Sequence, residues 1–218
     1  MFNLTLLSIF ASNIIFMGIK DRKIKAKEDL HKSILKAARE IFLEKGFDNM
    51  SIRNIAERIE YSPTTIYLYY KDKDAIFHAL HLEGFSLLNQ QMLVLESVAN
   101  PIERLKAMGW IYIKFAQENE DYYDLMFVQR APLNSLELEP WKEGESAFYF
   151  LKQTIQECIN SKQLSFTDAE VGAFIVWSYM HGMCTLKNRD RCRILSEEKQ
   201  DNIINLAYES FIKMLEII

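Results

Sequence analysis

Residues 51–73 read SIRNIAERIEYSPTTIYLYYKDK, and the spacing within them organises the rest of the chain. Ser51 can accept a hydrogen bond from an otherwise unpaired N–H in the first turn of a helix. Ile52, Ile55, Ala56 and Ile59 then fall at helical spacing and give one narrow apolar stripe. Glu60 and Tyr61 break the pattern. Ser62 caps again, and Pro63 takes the first helical position, where its missing N–H costs nothing. In the second helix, from Pro63 to Tyr70, Ile66 and Tyr70 can face inward together, leaving Thr64, Thr65, Tyr67 and Tyr69 largely on the other side. Threonine hydroxyls and methyls suit base edges and the thymine methyl, tyrosine can reach phosphate, and the helix start favours phosphate oxygens. Lys71 and Lys73 follow, placed to hold a nucleic-acid backbone without reading sequence. The competing reading is an ordinary helical hairpin whose tyrosines are core.

Taken together, Ser51-Ile-Arg-Asn-Ile-Ala56, Ser62-Pro-Thr-Thr-Ile-Tyr67 and Tyr70-Lys-Asp-Lys73 resemble the N-terminal domain of the TetR family of transcriptional regulators. Within that resemblance the preceding helix should end in Gly-Phe, and Gly46-Phe47 stands there. The resemblance implies an all-α fold: a three-helix helix-turn-helix domain that binds DNA, joined to a helical bundle for ligand binding and dimerisation. It also implies a homodimer on a palindromic operator, and carries Ser51, Arg53, Ser62 and Pro63 into the DNA-binding set. Two residues depart from the family pattern. Glu60 occupies the inter-helix turn where glycine is usual, and Thr64 stands where glycine is frequent, so the operator sequence does not transfer.

Composition is that of a folded helical protein: 218 residues, 49% hydrophobic and 26% charged, with only 7 Gly and 4 Pro. Three isolated cysteines, Cys158, Cys184 and Cys192, offer neither a disulfide framework nor a zinc spacing, which fits a reducing cytoplasm. The net charge of −4 argues at first against nucleic acid, but its distribution reverses that. Residues 17–75 hold 13 Lys and Arg against 10 Asp and Glu, whereas residues 76–218 hold 13 against 20. The positive excess therefore lies with the proposed reader.

Residues 1–19 carry no charged side chain. They lack the positive start and small-residue cleavage site of a secretory signal, and a membrane anchor would be short and diluted by polar residues. A third possibility is translation from Met17, which would make residues 1–16 an upstream extension, and this is the expectation here. No stable membrane association follows from it. Residues 20–73 then form the DNA-binding domain and 74–218 the ligand-binding and dimerisation domain. The basic run Lys20 to Lys27 reads as a solvated arm, with Lys25 and Lys27 available to phosphate or the minor groove. Leu30, Ile34, Ala38, Ile41 and Phe42 mark the first helix, with Gly46 in a left-handed cap and Phe47 folding back toward Phe42.

Further along, a long helix is expected from Asp72 to about Val98, with no flexible linker before it. His78 and His81 lie three apart on it, but nothing nearby completes a metal set, so they read as ordinary surface or groove histidines. Asn100-Pro101 opens a helix running to about Asn119, a short aromatic helix follows to Gln129, and another long helix should begin near Glu139-Pro140 with Trp141. These central helices are rich in aromatics. That is either plain core or an apolar ligand cavity, with Tyr112, Phe115, Tyr122, Tyr123, Met126, Trp177 and His181 as candidate lining.

Thr167-Asp-Ala-Glu170 reads as a capping box. Trp177 with His181-Gly182 resembles the Trp…His-Gly signature of one TetR C-terminal group. Gly182 would admit close approach of another backbone, and His181 is either a satisfied structural histidine or a ligand contact. Ser196 should cap the last helix, whose broad apolar face runs through Ile204, Tyr208 and Phe211 to Leu215. The resemblance implies that this helix and its predecessor form the dimer interface. No cofactor, metal or catalytic set is expected, because no phosphate loop, paired carboxylates or Cys–His set is visible. The rivals are a helical small-molecule-binding protein or enzyme that merely keeps the hairpin, and a membrane-tethered regulator.

Overall fold

In the first of two compact units, which end and begin between Lys73 and Asp74, three helices close around one small core. The computed structural model describes residues 18–129 and 142–217. Residues 1–17, including the start expected at Met17, and the helix start expected near Glu139-Pro140 with Trp141 lie outside the described residues. Helix α1 spans Ile19–Lys45, α2 Ile52–Arg58 and α3 Pro63–Tyr67. Ile34, Ala38, Ile41, Ile55, Ala56 and Ile66 are essentially inaccessible, and Tyr70 completes this core with its hydroxyl 2.7 Å from His31 Nε2. From Asp21 to Lys27 the basic run is exposed, as a solvated arm would be, but it is helical rather than a separate arm. It forms the opening turns of α1, where nothing interrupts the helix and Gly18 donates its N–H to Asp21.

Both caps of the reader are as the serines dictate. Ser51 Oγ accepts from Asn54 N–H and Ser62 Oγ from Thr65 N–H, each at 3.2 Å. Helix α2 then ends in a Schellman turn: Tyr61 N–H donates to Ala56 O at 2.9 Å and Glu60 N–H to Glu57 O at 3.3 Å. This places Glu60 at φ +59°, a left-handed conformation that strains a residue with a Cβ by about 1–2 kcal/mol. Glycine would lose about 0.5–1 kcal/mol of that gain through its freer unfolded chain. A Glu60→Gly protein should therefore melt about 1–4 °C higher in a calorimetric scan, with its helical spectrum unchanged. Gly46 also has positive φ, but at ψ 174° it lies outside the left-handed helical region expected for its cap. Only glycine adopts that combination readily.

The second unit is a helical bundle. Its described helices are α4 (Lys73–Leu93), α5 (Pro101–Glu118), α6 (Glu120–Phe127), α7 (Lys142–Asn160), α8 (Ala169–Asn188), the short α9 (Glu197–Gln200) and α10 (Ile203–Ile217). Helix α4 stops earlier than the apolar spacing suggested, passing into a 3-10 turn over Val94–Ser97. Helix α5 is central, packing on α6, α7 and α8, while α8 also meets α10. Arg104, almost fully buried on α5, ties it to α7 by donating to Thr154 Oγ1 and Glu157, and reaches Val98 O at 3.3 Å. The capping expected from Thr167 comes instead from Asp168, whose carboxylate accepts from Glu170 and Val171 N–H at 2.8 and 2.9 Å. Ser196 makes no side-chain cap, and the final segment breaks at Asp201-Asn202 into α9 and α10.

Candidate DNA-reading surface and ligand cavity

One side of α3 is sealed and the other is bare. Ile66 is fully buried, so Thr64, Tyr67 and Leu68 project into solvent, Tyr67 and Leu68 at 55% and 77% exposure. Thr65 is half-buried, with its hydroxyl 2.9 Å from Ser62 Oγ; that makes it part of the cap as much as of the surface. Tyr69 is half-buried and its ring lies 6.4 Å from that of His31. Leu68 was not among the sequence candidates. Its place four residues after Thr64 is the signal that could have found it, since a protruding leucine can meet a thymine methyl. Pro63 and Ser62 are exposed at the helix start, and Ser51 is half-buried in its capping role.

The cations around this surface differ in commitment. Lys25 and Lys27 are exposed on α1. Arg53 is exposed and pairs with Glu57 at 2.9 Å, an exposed pairing of small energy that a phosphate can replace. Lys71 is exposed, 4.0 Å from Asp72. Lys73 is half-buried, with its ammonium 4.2 Å over the Phe47 ring. Its loss would therefore disturb packing as well as charge.

In the second unit a cavity of about 330 Å³ opens between α4, α5, α6, α7, α8 and α10. Its wall is hydrocarbon and aromatic, built from residues such as Phe85, Met108, Phe127, Phe148, Trp177 and Phe211. Of the sequence candidates, Tyr112 and Trp177 line it. Phe115, Tyr122, Tyr123 and Met126 are buried core, and half-buried His181 stands behind the wall. Tyr123 Oη lies 2.7 Å from His181 Nδ1 and 2.9 Å from Thr185 Oγ1, so His181 is hydrogen-bonded within the bundle. Burial lowers its pKa, which keeps it neutral at neutral pH. Tyr122 and Met126 pack instead on Gly84 of α4, where an added Cβ would lie 2.6 Å from the Met126 sulfur. Much of the lining comes from α10, through Tyr208, Phe211, Ile212 and Leu215.

Of the two α4 histidines expected at the surface or in a groove, His78 is half-buried and His81 lies in the core. His81 is fully buried, and burial, aided by the charge of His78, pushes its pKa down to about 4. Among the described residues, no group of three or more His, Cys, Asp or Glu could hold a metal ion, and no helix is long and apolar enough to cross a membrane.

Comparison with known proteins agrees with this layout. Residues 34–80 match the family described as bacterial regulatory proteins, tetR family, and residues 105–209 match the tetracyclin repressor-like C-terminal domain. The chain is 47% identical over 49 residues to an uncharacterized HTH-type transcriptional regulator, YdeS, of Bacillus subtilis (strain 168), a stretch covering 22% of this chain and 25% of that one. It is 26% identical over 136 residues to the HTH-type transcriptional regulator HbdR of Aromatoleum sp. (strain CIB), covering 62% and 59%. The matched stretches thus span a quarter and about three-fifths of these curated relatives. Among solved structures, FadR from Bacillus subtilis in complex with stearoyl-CoA superposes with a TM-score of 0.68 at 16% identity, over 85% of this chain and 97% of that one.

Proposed function

The chain belongs to the TetR family of DNA-binding transcriptional regulators, a family without enzymatic activity, and from that premise we propose that it is a cytoplasmic homodimeric repressor released from its operator by a small molecule with a large apolar part. The observation that carries this is the presence of a bare reader surface in one unit and of an apolar cavity in the other. Two readers would occupy successive major-groove faces of a roughly palindromic site, half-sites roughly 34–36 Å apart. The superposed FadR, a transcriptional regulator solved with stearoyl-CoA, supports a bound ligand as the signal.

Dimerisation is supported by a stripe on α8. Val171, Ile175 and Leu186 are exposed apolar residues, and Gly182 falls on the same line. A Cβ on Gly182 would meet nothing within 4 Å, so no described part of the same chain uses the opening it leaves. On α10, Leu206 and Met214 are exposed, while Ile204, Tyr208, Phe211 and Leu215 pack inside their own bundle. The proposed interface is therefore α8 flanked by the outer edge of α10.

The switch proposed here runs through α6. Phe127 lines the cavity, and its ring lies 5.4 Å from that of Phe85 on α4. Tyr122 and Met126, on the same short helix, fill the notch at Gly84. A ligand that displaces Phe127 would thereby press on α4, which follows the reader with only a few residues between. Release requires the ligand to bind the non-reading arrangement more tightly than the other.

Footprinting of the DNA upstream of the coding region tests this reading: a protected inverted repeat is expected, with protection lost on adding the effector. Absence of protection at low salt would end it. Within the reader, Lys71→Ala should weaken binding to all sequences alike. It should also reduce the slope of log K against log salt by about 0.9, the value for one lost phosphate contact. Thr64→Ala and Leu68→Ala should instead change which operator variants bind best.

A further inference from the structure

We infer that the cavity of the second unit takes a hydrocarbon-rich cation, an alkyl or aryl ammonium amphiphile whose tail fills the interior while its charged end lies at the rim beside Glu145. This deepens the proposal above and rests on that cavity being the effector site.

The interior offers a ligand carbon and little else. Four described lining side chains carry polar atoms, and two of them, Tyr208 and Tyr112, are already engaged within the chain. Tyr208 donates its hydroxyl to Lys106 O at 2.7 Å. Tyr112 Oη lies 3.4 Å from His181 Nδ1, and the Trp177 indole packs among the rings of Phe127, Phe148, Phe174 and His181. No described lining residue is Lys, Arg or His. The nearly buried Arg104 is not in the wall and is held by Thr154, Val98 O and Glu157. A carboxylate or phosphate drawn inside would find no counter-charge among the described lining residues, and burying an uncompensated anion is strongly unfavourable.

The rim has the opposite character. Glu145 is the fourth polar lining residue and is exposed. It stands three residues before Phe148 on α7, a spacing that puts both on one helix face. The rings of Phe148 and Phe174 each approach the Trp177 indole edge-on at 6.2 Å, and Phe174 is 57% exposed. Aromatic rings that share one cavity lining with a carboxylate are surroundings that attract an organic cation. A neutral molecule of equal shape would gain the hydrocarbon contacts and miss the rim.

Three probes sharing a dodecyl tail separate the possibilities: dodecyltrimethylammonium, dodecanol and dodecanoate. Each is titrated below its micelle concentration into the full-length protein, read by tryptophan fluorescence and melting temperature. The cation should bind about 5–10-fold more tightly than the alcohol, the sum of one exposed ion pair and one cation–π contact. Dodecanoate should bind most weakly. Glu145→Gln and Phe174→Ala should each narrow the gap between cation and alcohol by about two- to five-fold. Dodecanoate binding tightest, all three binding equally, or a gap indifferent to Glu145→Gln would each overturn the cation inference and leave the cavity as an effector site. A protein that protects its operator yet binds none of the probes would overturn both.

Discussion

A Gly182→Glu protein should sediment as a folded monomer and bind the operator at least about 100-fold more weakly than the parent. The expectation starts from space within one chain. A Cβ at position 182 meets nothing within 4 Å, so a longer side chain can be carried without repacking the bundle. Replacing glycine inside a helix by glutamate raises helix propensity by roughly 0.5–1 kcal/mol, so the single chain should not be weakened. In the proposed dimer the same position lies on the line of Val171, Ile175 and Leu186, facing its own copy. Two carboxylates would then be pressed together in an apolar contact, each losing its hydration without a partner. Separating the readers removes the benefit of binding two half-sites at once, which is worth about 10²–10⁴ in apparent affinity. Sedimentation velocity reads the assembly, far-UV circular dichroism the helix content, and a salt-matched titration the affinity. A Gly182→Glu protein that remains dimeric would remove α8 from the interface.

The reader could be taken from the sequence because its determinants are local. Ser51, Ser62 and Pro63 act within one turn of where they stand, and the buried pair Ile66 and Tyr70 follows from helical spacing alone. The backbone at Glu60 was marked only through the family resemblance, in which glycine is usual at that turn, and its φ of +59° carries that strain. The cavity was far less legible. Spacing says which residues share a helix face but not which neighbour that face meets. Tyr122 and Met126 therefore read like cavity wall although they fill the notch at Gly84, and Tyr208 and Phe211 read like dimer surface although they line the cavity. Glu145 gave no signal at all, because an exposed glutamate near a helix start is ordinary until its aromatic neighbours on another helix are known.

The other large effect concerns Gly109, where α5 and α10 come together on the wall of the cavity. An added Cβ would collide with the Tyr208 hydroxyl and lie 2.7 Å from Cε2 of its ring. Tyr208 cannot simply turn away. It is 2% exposed, donates to Lys106 O, and meets the Trp110 ring edge-on at 4.7 Å. The ring must either push α10 outward or swing into the cavity. Both routes cost packing, and overfilling a close-packed interior typically destabilises by about 1–3 kcal/mol. Losing the buried tyrosine's hydrogen bond adds about 1 kcal/mol or more. Gly109→Ala should therefore lower the melting temperature by about 4–12 °C. It should also abolish binding of any ligand that fills the cavity, while α3 keeps its surface and operator binding persists below the transition. Adding Tyr208→Leu to Gly109→Ala removes the clashing ring and should recover part of the lost stability. If Gly109→Ala melted with the parent and still bound the ligand, the contact between α5 and α10 would not be the tight one these distances describe.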